Sequence, residues 1–191
     1  MDHGILKSLL SRKIKDRKLL KLMGKIIDKP VPGYKVGKGL AIGNLTSQWF
    51  ANFYLDPLDH YIKDRLGVKR YVRYMDDFVV LSEDKAELHE IKAEAGEFLK
   101  EKLDLQLKES ACFVSPVIEG IPFLGFRIFP GVVRLKRGGL IRFMRKFRYN
   151  ERLYKEGRIS EDELIRSTAS LIGHVGHGRT KGMRRRFLYG E

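Results

Sequence analysis

The sequence predicts an α+β fold, because helical and extended patterns occur in separate blocks rather than in regular alternation. Apolar residues recur at helical spacing near the start of the chain, in its middle and near its end. Short runs of β-branched and aromatic residues, bounded by turn residues, are typical of antiparallel strands. With 191 residues and 43% hydrophobic content, the chain is long enough for one folded core, or for one core with a small appendage.

Positive charge is concentrated in the last third of the chain. The sequence holds 38 Lys and Arg against 24 Asp and Glu, a net charge of +14. Residues 131–191 contain 16 of the basic residues and 6 of the acids, so we place a soft boundary between residues 130 and 131. This asymmetry favours a polyanionic partner, with nucleic acid as the first choice. The alternative is a basic surface that only keeps the protein in solution.

The single cysteine, Cys112, excludes a disulfide framework and suits a reducing compartment. It has no recognisable base partner, so we predict a small buried residue rather than a nucleophile. No apolar run is long enough to span a membrane, and residues 1–4 lack the order of a signal peptide. The predicted location is therefore cytoplasmic, without a membrane partner.

The first half of the chain is predicted to be mainly helical. Residues 3–28 have the pattern of two helices, with Asp2 as the N-cap of the first. Residues 29–43 are rich in Gly and Pro and predict a loop. The next helix, capped by Thr46 or Ser47, is expected to bend at an internal proline and to end near residue 66. Its aromatic residues at helical spacing, Trp49, Phe50 and Phe53, are predicted to lie in the core.

The strand patterns begin with a predicted hairpin over residues 71–81, which has Asp76 and Asp77 at its turn. A capped helix follows and ends at Leu103. Short strands are then predicted, at residues 105–107, 113–115, 123–129 and 132–135. From about Ile141 the pattern becomes helical and basic. A last helix starts after Ser160, with Glu163 completing a capping box.

Two adjacent acids between apolar strands are poor core residues and good ligands for a hard cation. Mg²⁺ takes oxygen ligands and is commonly bound by one or two carboxylates together with substrate phosphates. The alternative is a solvated Asp-Asp turn, which the dipeptide alone favours. Residues 39–48 form a glycine-containing loop that enters a helix, where a backbone can approach a bound chain and free N–H groups can face phosphates. Its position upstream of the hairpin makes a functional interpretation of both segments stronger.

These two motifs, in this order, resemble the palm of reverse transcriptases. Tyr74-Met75-Asp76-Asp77 lies between apolar strands, about thirty residues after a Gly-x-x-x-Ser helix entry. Further segments are similar to the strand after the palm helix, the primer-grip turn and the bacterial thumb: residues 103–107, 123–126 and 167–174. The resemblance covers essentially the whole chain. It implies a right-hand polymerase palm over residues 1–130, with an antiparallel sheet and helices on one face, followed by a small basic helical thumb over residues 131–191.

The segment Ile42-Gly43-Asn44-Leu45-Thr46-Ser47-Gln48 allows a finer comparison. Group II intron and most other bacterial reverse transcriptases usually have Gln-Gly-x-x-x-Ser-Pro at this place. The present residues resemble the diversity-generating retroelement reverse transcriptases instead. In that family the segment lies against the templated nucleotide, and its change is linked to error-prone copying of template adenines. A group II intron-like or retron-like reverse transcriptase is the alternative.

The resemblance implies Mg²⁺-dependent nucleotidyl transfer from a dNTP onto the 3′-hydroxyl of a DNA primer, on an RNA template. Asp76 and Asp77 would be the catalytic, metal-binding acids. Contacts to the nucleotide would come from Tyr74, Met75, Gly43, Ser47 and Gln48. Contacts to the nucleic acid would come from Lys108, Gly125, Arg142, Arg145, Lys146 and Arg148. The resemblance also implies a bacterial or phage origin and leaves room for a basic accessory protein.

The chain departs from the family at its start. A reverse transcriptase palm needs a further metal-binding Asp on a strand upstream of the first helix. Asp2 matches only the helix-capping acid of that pattern. We therefore expect an N-terminally incomplete enzyme that is inactive as an isolated chain, and a non-catalytic nucleic-acid-binding remnant stays an alternative. Lys108 and a lysine lost at Ser110 are both left open as the position of a general acid.

Overall fold

The computed structural model describes residues 1–41, 43–182 and 185, which form two compact units, Met1–Val114 and Ser115–Glu191. The architecture is α+β, as predicted, with helices and two separate antiparallel sheets. The boundary predicted from charge, between residues 130 and 131, falls in a turn between two paired strands of the second unit. The structural division lies before that sheet because its three strands are hydrogen-bonded to one another.

The first unit begins with two helices, α1 (His3–Lys13) and α2 (Arg17–Ile27), as predicted. The Asp2 carboxylate caps α1 by accepting a hydrogen bond from the Ile5 N–H at 3.0 Å. Asp16 caps α2 in the same way, which explains the break between the two helices. The capping role predicted for Asp2 is confirmed.

Helix α3 (Leu45–His60) continues into a π-helical turn, Tyr61–Arg65. The predicted N-caps, Thr46 and Ser47, are wrong, because the helix already begins at Leu45. Asn44 is the N-cap, and its carbonyl accepts the N–H of Ser47 at 3.1 Å. The side chain of Asn44 makes no capping hydrogen bond.

The predicted hairpin is confirmed as β1 (Tyr71–Tyr74) and β2 (Asp77–Val80), which pair in antiparallel register. Tyr74 lies opposite Asp77, so the two-residue turn consists of Met75 and Asp76. Asp77 is therefore the first residue of β2 rather than a turn residue. The hairpin leads into α4 (Lys85–Leu103), which ends at the predicted residue.

The core of the first unit is formed mainly by α1, α3 and α4. Tyr54 is fully buried, and its hydroxyl donates to the Leu103 carbonyl and accepts from the Asp2 N–H at 3.2 Å. This hydroxyl thus connects the three helices. The buried apolar side chains include Leu6, Leu10, Phe50, Leu55, Leu58, Ile62, Ala95 and Leu99.

The short strands predicted at residues 105–107 and 113–115 do not form. The N–H of Leu105 donates to the Leu99 carbonyl at 3.0 Å and closes the end of α4. Leu105 and Leu107 pack against the core without pairing to a strand. Alternating apolar residues here mark contact with the core, because a strand also needs a neighbouring backbone to pair with.

The sheet of the second unit has three strands in the order β3 (Ile121–Phe123), β4 (Phe126–Phe129) and β5 (Val132–Leu135). The single strand predicted over residues 123–129 is wrong, because Leu124 and Gly125 form a tight turn. Their φ angles are 48° and 85°, which matches the two left-handed residues of a type I′ hairpin turn.

Two helices follow the sheet in the second unit, α5 (Arg137–Lys155) and α6 (Glu161–Gly176). Helix α5 starts four residues before the predicted Ile141, because two glycines in its first turn hid the helical pattern. The capping box of Ser160 and Glu163 is confirmed at the start of α6. Phe143 and Val175 are the buried apolar residues of the two helices.

Candidate active site

The paired acids lie at the exposed tip of the β1–β2 hairpin. Within the described ranges, neither the Asp76 nor the Asp77 carboxylate is engaged by another side chain in a hydrogen bond or an ion pair. Their oxygens are therefore available to a ligand from solution. Tyr74, two residues before Asp76, is 60% exposed at the same tip.

The turn that carries Asp76 has an unfavourable backbone conformation for its sequence. Met75 has a φ of 57°, whereas Asp76 lies outside the left-handed region. A hairpin turn with positive φ at its first central residue is of type II′, which prefers glycine at that position. A methionine there costs on the order of 1–3 kcal/mol, and such residues cluster at functional sites.

Positive φ is rare in this protein outside glycine. Among the described residues, three that are not glycine have a positive φ: Met75, Asp104 and Leu124. Asp104 ends α4, where a left-handed residue is ordinary. Met75 and Leu124 lie in the two turns that the sequence predicts to contact primer or nucleotide.

The side chain of Arg73 joins the hairpin to α3, and this connection was missed by the sequence analysis. Its Nε donates to Asp59 Oδ1 at 2.7 Å, and its Nη2 forms an ion pair with the other carboxylate oxygen. Its Nη1 donates to Asn52 Oδ1 at 3.0 Å and to the Met75 carbonyl at 2.8 Å. The Tyr71 hydroxyl donates to Asp59 Oδ1 at 2.6 Å. We call these residues, Asn52, Asp59, Tyr71 and Arg73, the Arg73 cluster.

A signal for the Arg73 cluster is present in the sequence. Asn52 and Asp59 are seven residues apart, which places them on one face of a helix. Tyr71 and Arg73 are two apart, which places them on one face of a strand. Which helix face meets which strand face depends on tertiary packing, so the pairing itself was not predictable.

The pKa values of the cluster follow from its partial burial. Burial raises the pKa of the Asp59 carboxyl, but the hydrogen bonds from Arg73 and Tyr71 lower it more, so the net shift is downward. Burial and the hydrogen bond to Asp59 raise the pKa of the Tyr71 hydroxyl. At neutral pH the cluster therefore contains a carboxylate, a guanidinium and a neutral phenol.

This pKa shift predicts an acid-sensitive contribution to stability. Because the folded pKa of Asp59 lies below its unfolded value of 3.8, its contribution is present above about pH 4 and is lost as the pH falls through the folded pKa. We expect the free energy of unfolding to fall more steeply below about pH 4 in the native chain than in an Asp59→Asn variant. Urea denaturation at several pH values measures this difference, and parallel curves for the two proteins would contradict it.

Two of the residues predicted to contact the nucleotide lie on α3, the helix that also carries two residues of the Arg73 cluster. Ser47 and Gln48 lie in the first turn of α3, and Gly43, with a φ of 92°, precedes it. Asn52 and Asp59 lie further along α3. The helix that carries Ser47 and Gln48 is thus the one to which the hairpin is attached. Ile42, which contributes to the finer comparison, lies outside the described residues.

Helix α5 carries two kinds of basic side chain. In the part of the chain that the structure describes, Arg142, Arg145 and Lys146 are exposed and have no carboxylate partner. Arg148, predicted to act with them, is also exposed. Towards the end of the helix, pairing with glutamates reduces the free positive charge: Arg152 with Glu156, and Lys155 with Glu151. The unpaired charge is therefore concentrated in the first half of α5.

The start of α5 is fixed to the β3–β4 turn. The Lys136 N–H, at the N-cap of α5, donates to the Gly125 carbonyl at 3.1 Å. The predicted primer-grip turn at Gly125 and the basic half of α5 are thus neighbours within the second unit. Lys108, the other predicted contact, is exposed at the start of a 3₁₀ turn, Glu109–Ala111, in the first unit.

Some minor predictions are changed by the structure. Trp49 is 45% exposed rather than buried, although its ring stacks on Phe53. Cys112 is partly exposed, so the prediction of a buried cysteine is wrong. The His174 ring packs near Phe126, with 5.6 Å between the ring centroids.

Two adjacent exposed carboxylates are the type of oxygen ligand that Mg²⁺ takes in proteins. Among the described residues there is no group of three or more His, Cys, Asp or Glu side chains that could hold a metal ion. Mg²⁺ needs fewer protein ligands, because it keeps several water molecules and takes further oxygens from substrate phosphates. Asp76 and Asp77 would be its protein ligands here.

No helix in the described ranges is both long and apolar enough to cross a membrane. The sequence matches no protein-family model and no curated protein. The functional interpretation therefore depends on the motifs and on the geometry of the two units.

Proposed function

We propose that this chain is the palm and thumb portion of an RNA-directed DNA polymerase, of the diversity-generating retroelement type. It acts in Mg²⁺-dependent transfer of a nucleotide from a dNTP to a primer 3′-hydroxyl on an RNA template. The observation that carries this proposal is the hairpin tip, where a strained Met75 is followed by two exposed carboxylates that have no side-chain partner among the described residues. A left-handed methionine is unfavourable and brings no advantage to an ordinary surface turn. Such a conformation suits a site that must present Asp76 in one direction.

The roles of the residues in the first unit follow from their exposure and chemistry. Asp76 and Asp77 hold the metal ion, which supplies charge stabilisation at the reacting phosphates when it is bound. Tyr74 presents an exposed ring and Met75 a partly exposed side chain at the same tip, where a primer end or a nucleotide sugar binds. Ser47 and Gln48, at the start of α3, position the template base and the incoming nucleotide.

The second unit binds the phosphate backbone of the template–primer duplex. Arg142, Arg145 and Lys146, which have no carboxylate partner in the described part of the chain, lie in the half of α5 that starts beside the Gly125 turn. Phosphate contacts of this kind position a duplex without reading its sequence. This suits a polymerase, which must move along any template.

We expect a templated dNTP to stabilise the complex of this chain with an RNA/DNA hybrid. The primer is made with a terminal dideoxynucleotide, so that no bond can form, and the dissociation rate of the hybrid is measured in Mg²⁺ with each dNTP in turn. The complementary dNTP is expected to slow dissociation by about tenfold, which corresponds to about 1.4 kcal/mol. Asp76→Asn should remove this effect. Asp162→Asn, which changes one of three consecutive exposed acids at the start of α6, should keep it.

A non-catalytic nucleic-acid-binding protein is the second candidate. It is favoured by the grouping of Asp76 and Asp77 without a third acid among the described residues, because a two-metal polymerase site needs further carboxylates. On a template whose next base is not adenine, such a protein would bind the hybrid equally well with every dNTP, and that result would contradict the proposed polymerase. For the same reason, we propose that the 191-residue chain alone does not extend a primer with a 3′-hydroxyl.

The same dissociation measurement separates the two classes of reverse transcriptase. An error-prone retroelement enzyme is expected to accept any dNTP opposite a template adenine, and the complementary dNTP opposite the other bases. A group II intron-like or retron-like enzyme would select the complementary dNTP opposite adenine as well. Templates that differ only in the base at this position provide the comparison.

A further inference from the structure

We propose that Arg73 is a positioning residue for the candidate metal site, because it fixes the backbone of the Met75–Asp76 turn against α3. This inference rests on the proposed function, since it assumes that the hairpin tip presents a metal ligand. Arg73 itself does not touch the metal, the primer or the nucleotide. Its effect is transmitted through the carbonyl of Met75.

The contacts of Arg73 reach both sides of the junction between the hairpin and α3. Its Nη1 donates to two acceptors on different elements, Asn52 Oδ1 at 3.0 Å and the Met75 carbonyl at 2.8 Å. Its Nε and Nη2 donate to the two carboxylate oxygens of Asp59, and Nη2 also donates to the Asn52 carbonyl at 3.5 Å. The guanidinium thus joins the turn to Asn52 and Asp59, two positions of α3 that are seven residues apart, and its side chain is 10% exposed.

This arrangement needs an arginine. A guanidinium presents five N–H donors in a rigid plane, which allows it to bind a carboxylate with two bonds and other acceptors at the same time. A lysine offers one nitrogen at the end of a flexible chain. It can keep the charge near Asp59, but it cannot serve Asn52 and the Met75 carbonyl as well.

The hydrogen bond from Arg73 to the Met75 carbonyl stabilises the turn in its strained conformation. Met75 has a φ of 57°, which non-glycine residues avoid. Strained conformations persist when surrounding contacts determine them. If Arg73 is shortened or neutralised, we expect Met75 to leave the left-handed region and Asp76 to change its direction relative to Asp77.

The hairpin contains a matched control at its other end. Arg70 forms an ion pair with Glu83 at 3.2 Å, and both side chains are mostly exposed. The same substitution at Arg70 removes the same charge from the same hairpin without touching the turn. A general effect of charge on metal binding would therefore be seen equally at both positions.

The experiment measures Mn²⁺ binding to the full chain by the loss of the free-ion electron paramagnetic resonance signal. Mn²⁺ is used as the probe because it takes the same oxygen ligands as Mg²⁺. Arg73→Lys and Arg73→Gln are expected to weaken Mn²⁺ binding by about tenfold. This is the lower end of the loss in metal affinity that follows when residues supporting metal ligands are replaced. Arg70→Gln is expected to bind as the native chain does. Circular dichroism shows whether each variant keeps its helices.

A second measurement reports the turn directly. The three-bond coupling between the amide and α protons of Met75 depends on φ, and NMR of the native chain and of Arg73→Lys compares it. A changed coupling in Arg73→Lys, but not in Arg70→Gln, is expected. Should Arg73→Lys fail to fold, Asn52→Ala removes one acceptor and leaves the Arg73–Asp59 pair, and a smaller but measurable loss of Mn²⁺ affinity is expected.

The outcomes separate this inference from the proposed function. If Asp76→Asn binds Mn²⁺ as well as the native chain, the hairpin is not a metal site and the proposed function fails. If Asp76→Asn loses Mn²⁺ while the folded Arg73 variants, or Asn52→Ala in their place, keep native affinity, the positioning role of Arg73 is wrong and the metal site stands.

Discussion

Replacing Arg142, Arg145 and Lys146 together with Gln should weaken binding to an RNA/DNA hybrid by about 10²- to 10³-fold at roughly 0.1 M salt. Each phosphate contact releases condensed counterions from the nucleic acid, and the logarithm of the affinity falls with the logarithm of the salt concentration by about 0.7–0.9 per contact. Loss of three contacts should therefore also reduce the magnitude of this slope by about 2–3. Titrations of a labelled hybrid at several salt concentrations give both quantities.

The same helix region provides a control with an identical change in net charge. Arg152, Lys155 and Arg158 form ion pairs with Glu156 and Glu151, so two of their three positive charges are already balanced locally. Replacing these three with Gln is expected to change the affinity and the salt slope far less. Equal losses in the two triple variants would mean that only overall charge attracts the hybrid, and that α5 does not bind it through particular residues.

Phe50→Ala is expected to lower the free energy of unfolding of the first unit by about 3–5 kcal/mol. Phe50 is 2% exposed and packs in the core that α3 shares with α1 and α4. Its removal leaves a cavity as well as losing buried apolar area, and both effects are destabilising. Since natural domains are stable by only about 5–15 kcal/mol, this loss would remove a substantial fraction of the stability of the first unit.

The neighbouring aromatic residue is a natural comparison for Phe50. Trp49 is 45% exposed and contacts the rings of Phe50 and Phe53. Trp49→Ala is expected to cost about 1 kcal/mol, the size of a lost aromatic pair. Urea denaturation of the two variants measures the difference. A cost for Trp49→Ala as large as that for Phe50→Ala would show that its ring belongs to the core.

Most of the local structure could be predicted because its causes are local. The Asp2 cap, the Ser160–Glu163 capping box and the β1–β2 hairpin depend on residues that are neighbours in the chain. Helical periodicity also located α1, α2 and α4. The errors arose where a local pattern has two possible structures. Residues 105–107 alternate like a strand but pack on the core without a partner strand, and residues 123–129 conceal a tight turn at Leu124.

The candidate site could be predicted only in part. The positions of Asp76 and Asp77 at a hairpin tip follow from the sequence, because two apolar runs around a short polar segment favour a hairpin. That Met75 occupies a left-handed conformation was not predictable, because a methionine has no preference for it. The division of the basic residues of α5 into paired and unpaired sets likewise needed the positions of the glutamates.

By itself the sequence determined the α+β class, the hairpin with its two acids, the helix caps and the basic C-terminal third. Periodicity and capping depend on residues that are near neighbours in the chain, and net charge is a sum over many residues, so neither requires the tertiary structure. Only the tertiary structure decided that Arg73 binds Asp59, fourteen residues away in the chain, and that it also holds the Met75 carbonyl. The physical reason is that burial selects such partners, since a guanidinium that packing removes from water must find a carboxylate and further acceptors wherever the fold brings them.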